Sequence, residues 1–298
     1  MIIKDVCVLN QNVQQSVMPK EIVSLDKPTI VVEPRTSLSK LKLDEIWEYR
    51  ELIWLLAWRD IAVRYKQTAM GAGWALAQPT AMMLIASIVF RRWVHVPSEG
   101  VPYPLFAFVA LLPWIYFSNA MTGAAASLIR SGAILTKIYF PRLIIPIAAV
   151  IPPLVDFAIG FSLLIVMLVC YGIKPTDRLL LIPFLIVLTL CLALGIGIWI
   201  SALSVRYRDF SQLVPFLTQI WMFASPIVYP SDLVSFRWRF IYTLNPIAAI
   251  VEGFRWAILG TVSTLNCDIV SATIMTAILL VTGVIYFQHV ERTIADFI

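Results

Sequence analysis

The sequence predicts an all-α membrane protein. It has six transmembrane helices, an N-terminal interfacial amphipathic helix, and re-entrant outer gate helices between spans five and six. Three observations predict it. Of 298 residues, 60% are hydrophobic and 14% charged, with mean hydropathy +0.84. A soluble domain has about 45–50% apolar and about 25% charged residues, a gap too wide for one oily core. The apolar residues gather into six runs, each near or above the roughly 20 residues that cross a hydrocarbon layer of about 30 Å. Ionisable groups are almost absent from those runs.

The elements follow in chain order. Residues 1–42 form a polar tail interrupted by Pro19, Pro28 and Pro34, with one short extended piece at Thr29–Val32. Residues 43–298 form the transmembrane domain. The N-terminus lacks a basic stretch followed by an apolar run, so no cleavable signal peptide is expected and insertion begins at the first internal span. From Asp44 to Lys66, Ile46, Trp47, Ile53, Trp54, Ala57, Ile61 and Tyr65 recur at helical spacing against Glu48, Glu51 and Arg59. Acidic residues open this helix and Arg64 and Lys66 close it, as the helix dipole favours. Its aromatics and cationic end place it in the interface rather than across the bilayer.

The six runs are Trp74–Phe90, Pro104–Ile129, Leu143–Tyr171, Leu179–Ser204, Leu213–Tyr229 and Ile269–Phe287. The third carries Pro146, Pro152 and Pro153 and is expected to be kinked. Six spans put both termini on one side. With that side cytoplasmic, Lys and Arg divide sixteen inside to seven outside, although Arg91 and Arg92 fall on the outer side. Between the last two runs, Pro230–Asp268 is too long for a turn and too apolar for a free loop, with Phe236, Trp238, Phe240, Tyr242, Phe254 and Trp256. Two half-length helical pieces around Asn245–Pro246 could dip back toward the membrane, where irregular backbone is tolerated only against protein or a water-filled cavity.

The ionisable inventory excludes several function classes. Asp156 is the only carboxylate within the runs, and no histidine lies there. One aspartate cannot supply an acid–base pair or a metal cluster, and an ion-driven carrier usually shows more intramembrane polar groups. Asp156 reads either as a group satisfying the chain near the Pro152–Pro153 break or as a direct participant in transport. Cys7, Cys170, Cys191 and Cys267 lie far apart without metal spacing and read as small hydrophobes. Gly-Lys occurs nowhere, so no phosphate-cradling GxxxxGK[ST] loop exists. The chain is expected to be no enzyme, with ATP and magnesium held by a separate ATPase. The stretch RSGAILTKIYFPR, Arg130–Arg142, is the candidate docking element for that ATPase. It sets Arg130, Lys137 and Arg142 among Leu135, Tyr139 and Phe140 and ends at Pro141. An ordinary interfacial loop is the other reading.

Five strings, WRDIAVRYKQTAMGAGWALAQP (Trp58–Pro79), LTKIYFPRLIIP (Leu135–Pro146), LVDF (Leu154–Phe157), LSVRYRDF (Leu203–Phe210) and LNPIAAIVEGFRWAILG (Leu244–Gly260), resemble the ABC-2 type permeases. The similarity runs from about Lys42 to the C-terminus and is nearest to subunits exporting O-antigen, capsule or teichoic-acid polysaccharides. It implies a homodimer with two ATPase subunits in the bacterial inner membrane, both termini cytoplasmic, moving an undecaprenyl-diphosphate-linked glycan outward. The interfacial helix, with Glu45 and Glu48, and the Arg130–Arg142 loop would meet the ATPase. The first and fifth spans, with Trp74, Phe216, Trp221 and Phe223, would line the channel. Asn245, Pro246, Glu252, Phe254 and Arg255 would belong to the outer gate.

Two readings stand for Arg59, Arg64 and Lys66: the place where a diphosphate headgroup enters, or plain cytoplasmic anchoring. Two also stand for Trp221 and Phe223, a stacking surface for sugar rings or helix packing. An exporter of a drug or small lipid shares the architecture, and a membrane-bound transferase of lipid-linked sugars is the rival from another class.

Overall fold

The computed structural model describes residues 43–66, 71, 73–95, 98, 100–135, 140–173, 177–207, 209–233, 242, 244–260 and 265–294, without the side chains of 43–45, 265–267 and 292–294. The extended piece expected at Thr29–Val32, the side chain of Glu45, and Lys137, Tyr139, Phe236, Trp238 and Phe240 lie outside this description. Among the described residues the chain is helical throughout, with no strand. Among the described residues five helices are long and apolar enough to cross a membrane, which makes this a multi-pass membrane protein.

The stretch expected to form one continuous interfacial helix is two helices, α1 (Leu43–Glu48) and α2 (Arg50–Lys66). The interruption is the single residue Tyr49, whose carbonyl still accepts from Ile53 N–H at 3.1 Å. Helix α2 buries Leu56 and Ala57 against the bundle and turns Trp54, Leu55 and Trp58 outward. Trp54 and Trp58, one turn apart, stack at 6.2 Å. Exposed indoles beside a cationic helix end suit the headgroup layer of a bilayer.

Helix α3 (Gly73–Ala86) runs on into a π-helical segment, Ser87–Trp93, that ends on Arg91 and Arg92. The bundle centre is α4 (Tyr103–Arg130), buried along almost its whole 28-residue length. A one-turn helix, α5 (Gly132–Leu135), follows. The third run is broken into α6 (Ile144–Ala149) and α7 (Pro152–Cys170). Pro152 and Pro153 occupy the first turn of α7, where their missing N–H groups cost least, and the same rings prevent α6 from continuing. A short 3-10 turn, Asp177–Leu181, feeds α8 (Ile182–Arg206).

Close packing around α4 and α8 depends on two glycines. A Cβ on Gly197 would stand 2.6 Å from Ala124 Cβ of α4, and one on Gly195 would stand 2.9 Å from Leu280 N in α11 (Leu265–Ile294). Apolar side chains gain nothing by leaving lipid for each other, so such small-residue seams, which bring backbones together, carry much of the association energy in a membrane. The buried residues form two clusters, one along α4 and one toward its C-terminal end around Leu128, Phe140, Ile144, Ile198 and Phe287.

The fifth run departs from expectation. Its helix, α9 (Asp209–Ala224), has 16 residues and so is about 24 Å long, short of a full span. It stops because the chain turns through Ser225–Ile227, where Pro226 has no N–H and the carbonyls point at a cation. Arg255 of α10 (Pro246–Leu259) donates to Pro226 O at 2.7 Å and to Ile227 O at 2.6 Å. Of the two half-length pieces expected between spans five and six, α10 is described, and at 14 residues it is too short to cross. It ends on Gly260, whose φ of +70° suits a left-handed cap. Before it only a short 3-10 turn, Ser231–Leu233, is described.

Candidate functional site

The break in the third run exposes a polar junction. Asp156, one turn into α7, accepts hydrogen bonds from Arg64 and from the Tyr65 hydroxyl, both in the last turn of α2. The Asp156 side chain is 17% exposed and that of Arg64 44%. A carboxylate in an apolar span needs such compensation, and a charge-assisted pair supplies it. The phenol of Tyr65 is held far above its usual range, first by burial and then by its hydrogen bond to Asp156 and that group's charge, while Arg64 opposes. Tyr65 therefore stays a donor at any physiological pH, and α2 is fastened to the first turn of α7.

Two cavities flank this junction. One, of about 260 Å³, lies between the end of α2, the start of α3, the middle of α4 and the first turn of α7. Its lining joins Arg64 and Asp156 to Gln78, Tyr116, Asn119 and Trp74. The other, of about 340 Å³, opens toward the C-terminal end of α4 and holds three arginines, Arg59, Arg64 and Arg130, with Asp60 the one carboxylate. Arg59 pairs with its neighbour Asp60 at 2.8 Å, both half-exposed, and Arg130 folds back on Gly123 O at 2.9 Å. Exposed pairs like the first are weak and readily exchanged for a better anion. Arg64, Asn119 and Pro153 line both cavities, so the two adjoin.

The sequence-selected cations thus separate. Arg59 and Arg64 meet at this junction with Arg130, which the sequence assigned to docking, whereas Lys66 is exposed and lines neither cavity. The rest of the docking set is only partly an exposed surface. Phe140, expected as an exposed apolar anchor, is instead 4% exposed within the cluster of Leu128, Ile144 and Phe287. Leu135 is half-buried against the same cluster. Arg142, next to Pro141, is tied to the C-terminal helix, with its backbone N–H on Glu291 Oε1 at 3.2 Å. Glu48 is exposed on α1.

The aromatics of α9 divide as well. Phe216 and Phe223 are 61% and 57% exposed on its outer face. Trp221 is half-buried, edge-on to Phe117 at 5.4 Å, with its Nε1 donating to Asn245 Oδ1 at 3.0 Å. Trp74 is exposed at the mouth of the smaller cavity. The residues assigned to the outer gate converge on the turn after α9. Asn245 Nδ2 donates to Ser225 Oγ at 2.9 Å, Pro246 starts α10, and Phe254 meets Phe157 edge-on at 6.2 Å. The Arg255 guanidinium lies 3.8 Å over the Phe106 ring, and Tyr103, the first residue of α4, donates its hydroxyl to Val228 O at 2.5 Å. Half-buried Glu252 has its carboxyl pushed up by burial, against the lowering effects of the Ser231 hydrogen bond and Arg255.

Sequence reasoning missed Gln78, Tyr116 and Asn119, and missed that Tyr65 reaches Asp156. The last link was findable: a lone carboxylate in an apolar span calls for a cation at its depth, and Arg59–Lys66 are the nearest in kind. The other three look like ordinary polar positions in α3 and α4, and no spacing separates them from solvated or packing residues.

Comparison with known proteins adds a family. The sequence model of the ABC-2 type transporter matches residues 51–259. The chain is 31% identical to an O-antigen export system permease protein of Myxococcus xanthus, over 71% of this chain and 81% of that protein. It is 28% identical to an O-antigen export system permease protein of Klebsiella pneumoniae, over 83% and 94%. A polysialic acid transport protein of Escherichia coli is 22% identical over 67% and 78%.

Proposed function

This chain belongs to the ABC-2 type transporter family, and we propose that it is the permease subunit exporting an undecaprenyl-diphosphate-linked polysaccharide across the bacterial inner membrane. The observation that carries the reading is the arginine-lined cavity between the interfacial helix and the spanning bundle. A lipid diphosphate lies in the headgroup layer with its charge at that level, and guanidinium groups bind phosphate oxygens in pairs. The relatives' names, O-antigen export and polysialic acid transport, support a polysaccharide cargo.

The working unit is a homodimer with two ATPase subunits, which hold ATP and magnesium. Docking falls to the interfacial helix and the Arg130–Arg142 loop. Both termini are cytoplasmic, and α9 makes a sixth crossing. Support for that crossing comes from the positions of its ends. Asp209 follows α8, whose Ile198 and Ala202 join the cluster at the Leu128 end of α4, while Val228 is bonded to Tyr103 at the other end. Phe216 and Phe223 line the channel, and α10 with the turn it holds forms the outer gate.

The test is a strain lacking this gene. Surface polysaccharide should disappear, lipid-linked glycan should accumulate on the cytoplasmic leaflet, and an episomal copy should reverse both. Intact surface polysaccharide, with loss instead of a drug-efflux or small-lipid phenotype, would overturn the reading.

A further inference from the structure

The smaller cavity is chemically unlike its neighbour. The larger holds three arginines. The smaller offers amides at Gln78 and Asn119 and the paired charges of Arg64 and Asp156, with the Trp74 indole at its mouth. Tyr116 contributes only the edge of its ring, since the residue is 2% exposed and its hydroxyl is sealed from the cavity. One ordered water, whose share of liquid volume is about 30 Å³, would leave most of about 260 Å³ empty.

We infer that this cavity binds the first sugar ring of the cargo, the one joined directly to the lipid diphosphate, while the diphosphate rests on Arg59, Arg64 and Arg130 next door. The inference rests on the proposed lipid-linked polysaccharide cargo and adds where its reducing end is read. Sugar hydroxyls are donors and acceptors at once. Amides answer both roles, and each Asp156 oxygen has lone-pair capacity beyond the proton it accepts from Arg64 or Tyr65. The indole offers a flat face to the ring's C–H side. The order also fits, because Arg64 and Asn119 line both cavities and place a cationic compartment directly beside one whose lining charges, Arg64 and Asp156, offset each other. Diphosphate and sugar are adjacent in the same way. A bare phosphate would have no use for the second compartment, and a glycan without its lipid diphosphate no use for the first.

The test uses the complete transporter with its ATPase in phosphatidylcholine nanodiscs and two probes: a short isoprenyl diphosphate, and the same compound carrying one N-acetylhexosamine. The native complex should bind the sugar-bearing probe about ten-fold more tightly, since a few added hydrogen bonds each contribute a factor of about two to ten. Gln78→Ala, at an exposed position of the lining, should reduce that preference about three-fold or more and leave the sugar-free probe unaffected. Arg59→Gln should weaken both probes alike. Equal affinity of the native complex for the two probes, or a Gln78→Ala variant that shifts both equally or neither, would overturn the sugar site and leave the export reading standing. Failure of the native complex to bind either probe would overturn the lipid-linked cargo itself.

Discussion

Asp156 shows how one ionisable residue organises its surroundings. Arg64 and Tyr65 both donate to it, so Asp156→Ala removes two hydrogen bonds to a charge at once. Breaking a fully buried pair costs about 3–5 kcal/mol. Arg64 keeps 44% of its side chain exposed and can turn to water, so the expected loss is nearer about 1–2 kcal/mol. Thermal unfolding in detergent of Asp156→Ala, Arg64→Ala and the double variant measures it; strict additivity would mean that the contact carries no coupling. Glu252 gives a pH dependence of definite sign. Its carboxyl is raised by burial, with Asp268 and Asp232 adding to the rise. A carboxyl raised in the folded state contributes most below its unfolded value of about 4.3, and that contribution is lost as pH rises through the folded value. Glu252→Gln should therefore flatten the fall in melting temperature as pH rises above the ordinary carboxyl value of about 4.3. An unchanged slope would assign the fall to another group.

At the scale of elements, the contacts between helices turn on side-chain size. Gly195 lies where α8 meets α11, and a Cβ there would meet Leu280 N at 2.9 Å and Leu280 Cα at 3.0 Å. Backbone cannot step aside as a flexible side chain can, so the helices must separate. Gly195→Val should lower the yield of folded protein and its melting temperature well beyond Gly160→Ala, whose added methyl meets only the mobile end of Leu112. Similar losses in both would show that the seam gives way easily. The same scale explains the short α9. Its apolar run continues to Tyr229, but Arg255 takes the carbonyls that another helical turn would need.

Topology belongs to the whole molecule. Ser131 caps α4 at one end, and Val228, four residues before Asp232, is fastened to Tyr103 at the other. In a background without the four native cysteines, a cysteine at Asp232 should react with an impermeant maleimide applied outside intact spheroplasts, and one at Ser131 should not. The reverse pattern would invert the molecule and its docking face. Equal labelling at both positions would mean that α9 does not carry the chain across.

The sequence alone was enough for the class of molecule. Length and hydropathy of Tyr103–Arg130, Asp177–Arg206 and Asp268–Glu291 mark spans because lipid leaves a backbone no alternative to internal hydrogen bonding, and the prolines at 152 and 153 announce the break in the third. Those are local properties, and local pattern reads them. The tertiary structure decided everything that needed two distant segments. It ended α9 early, drew Phe140 inward, tied Arg142 to Glu291, and brought Arg64 and Tyr65 to Asp156 across 92 and 91 residues of chain. It also set Gln78, Tyr116 and Asn119 around one cavity. Each is a polar residue on a different turn or helix, and their common purpose exists only once the helices are side by side.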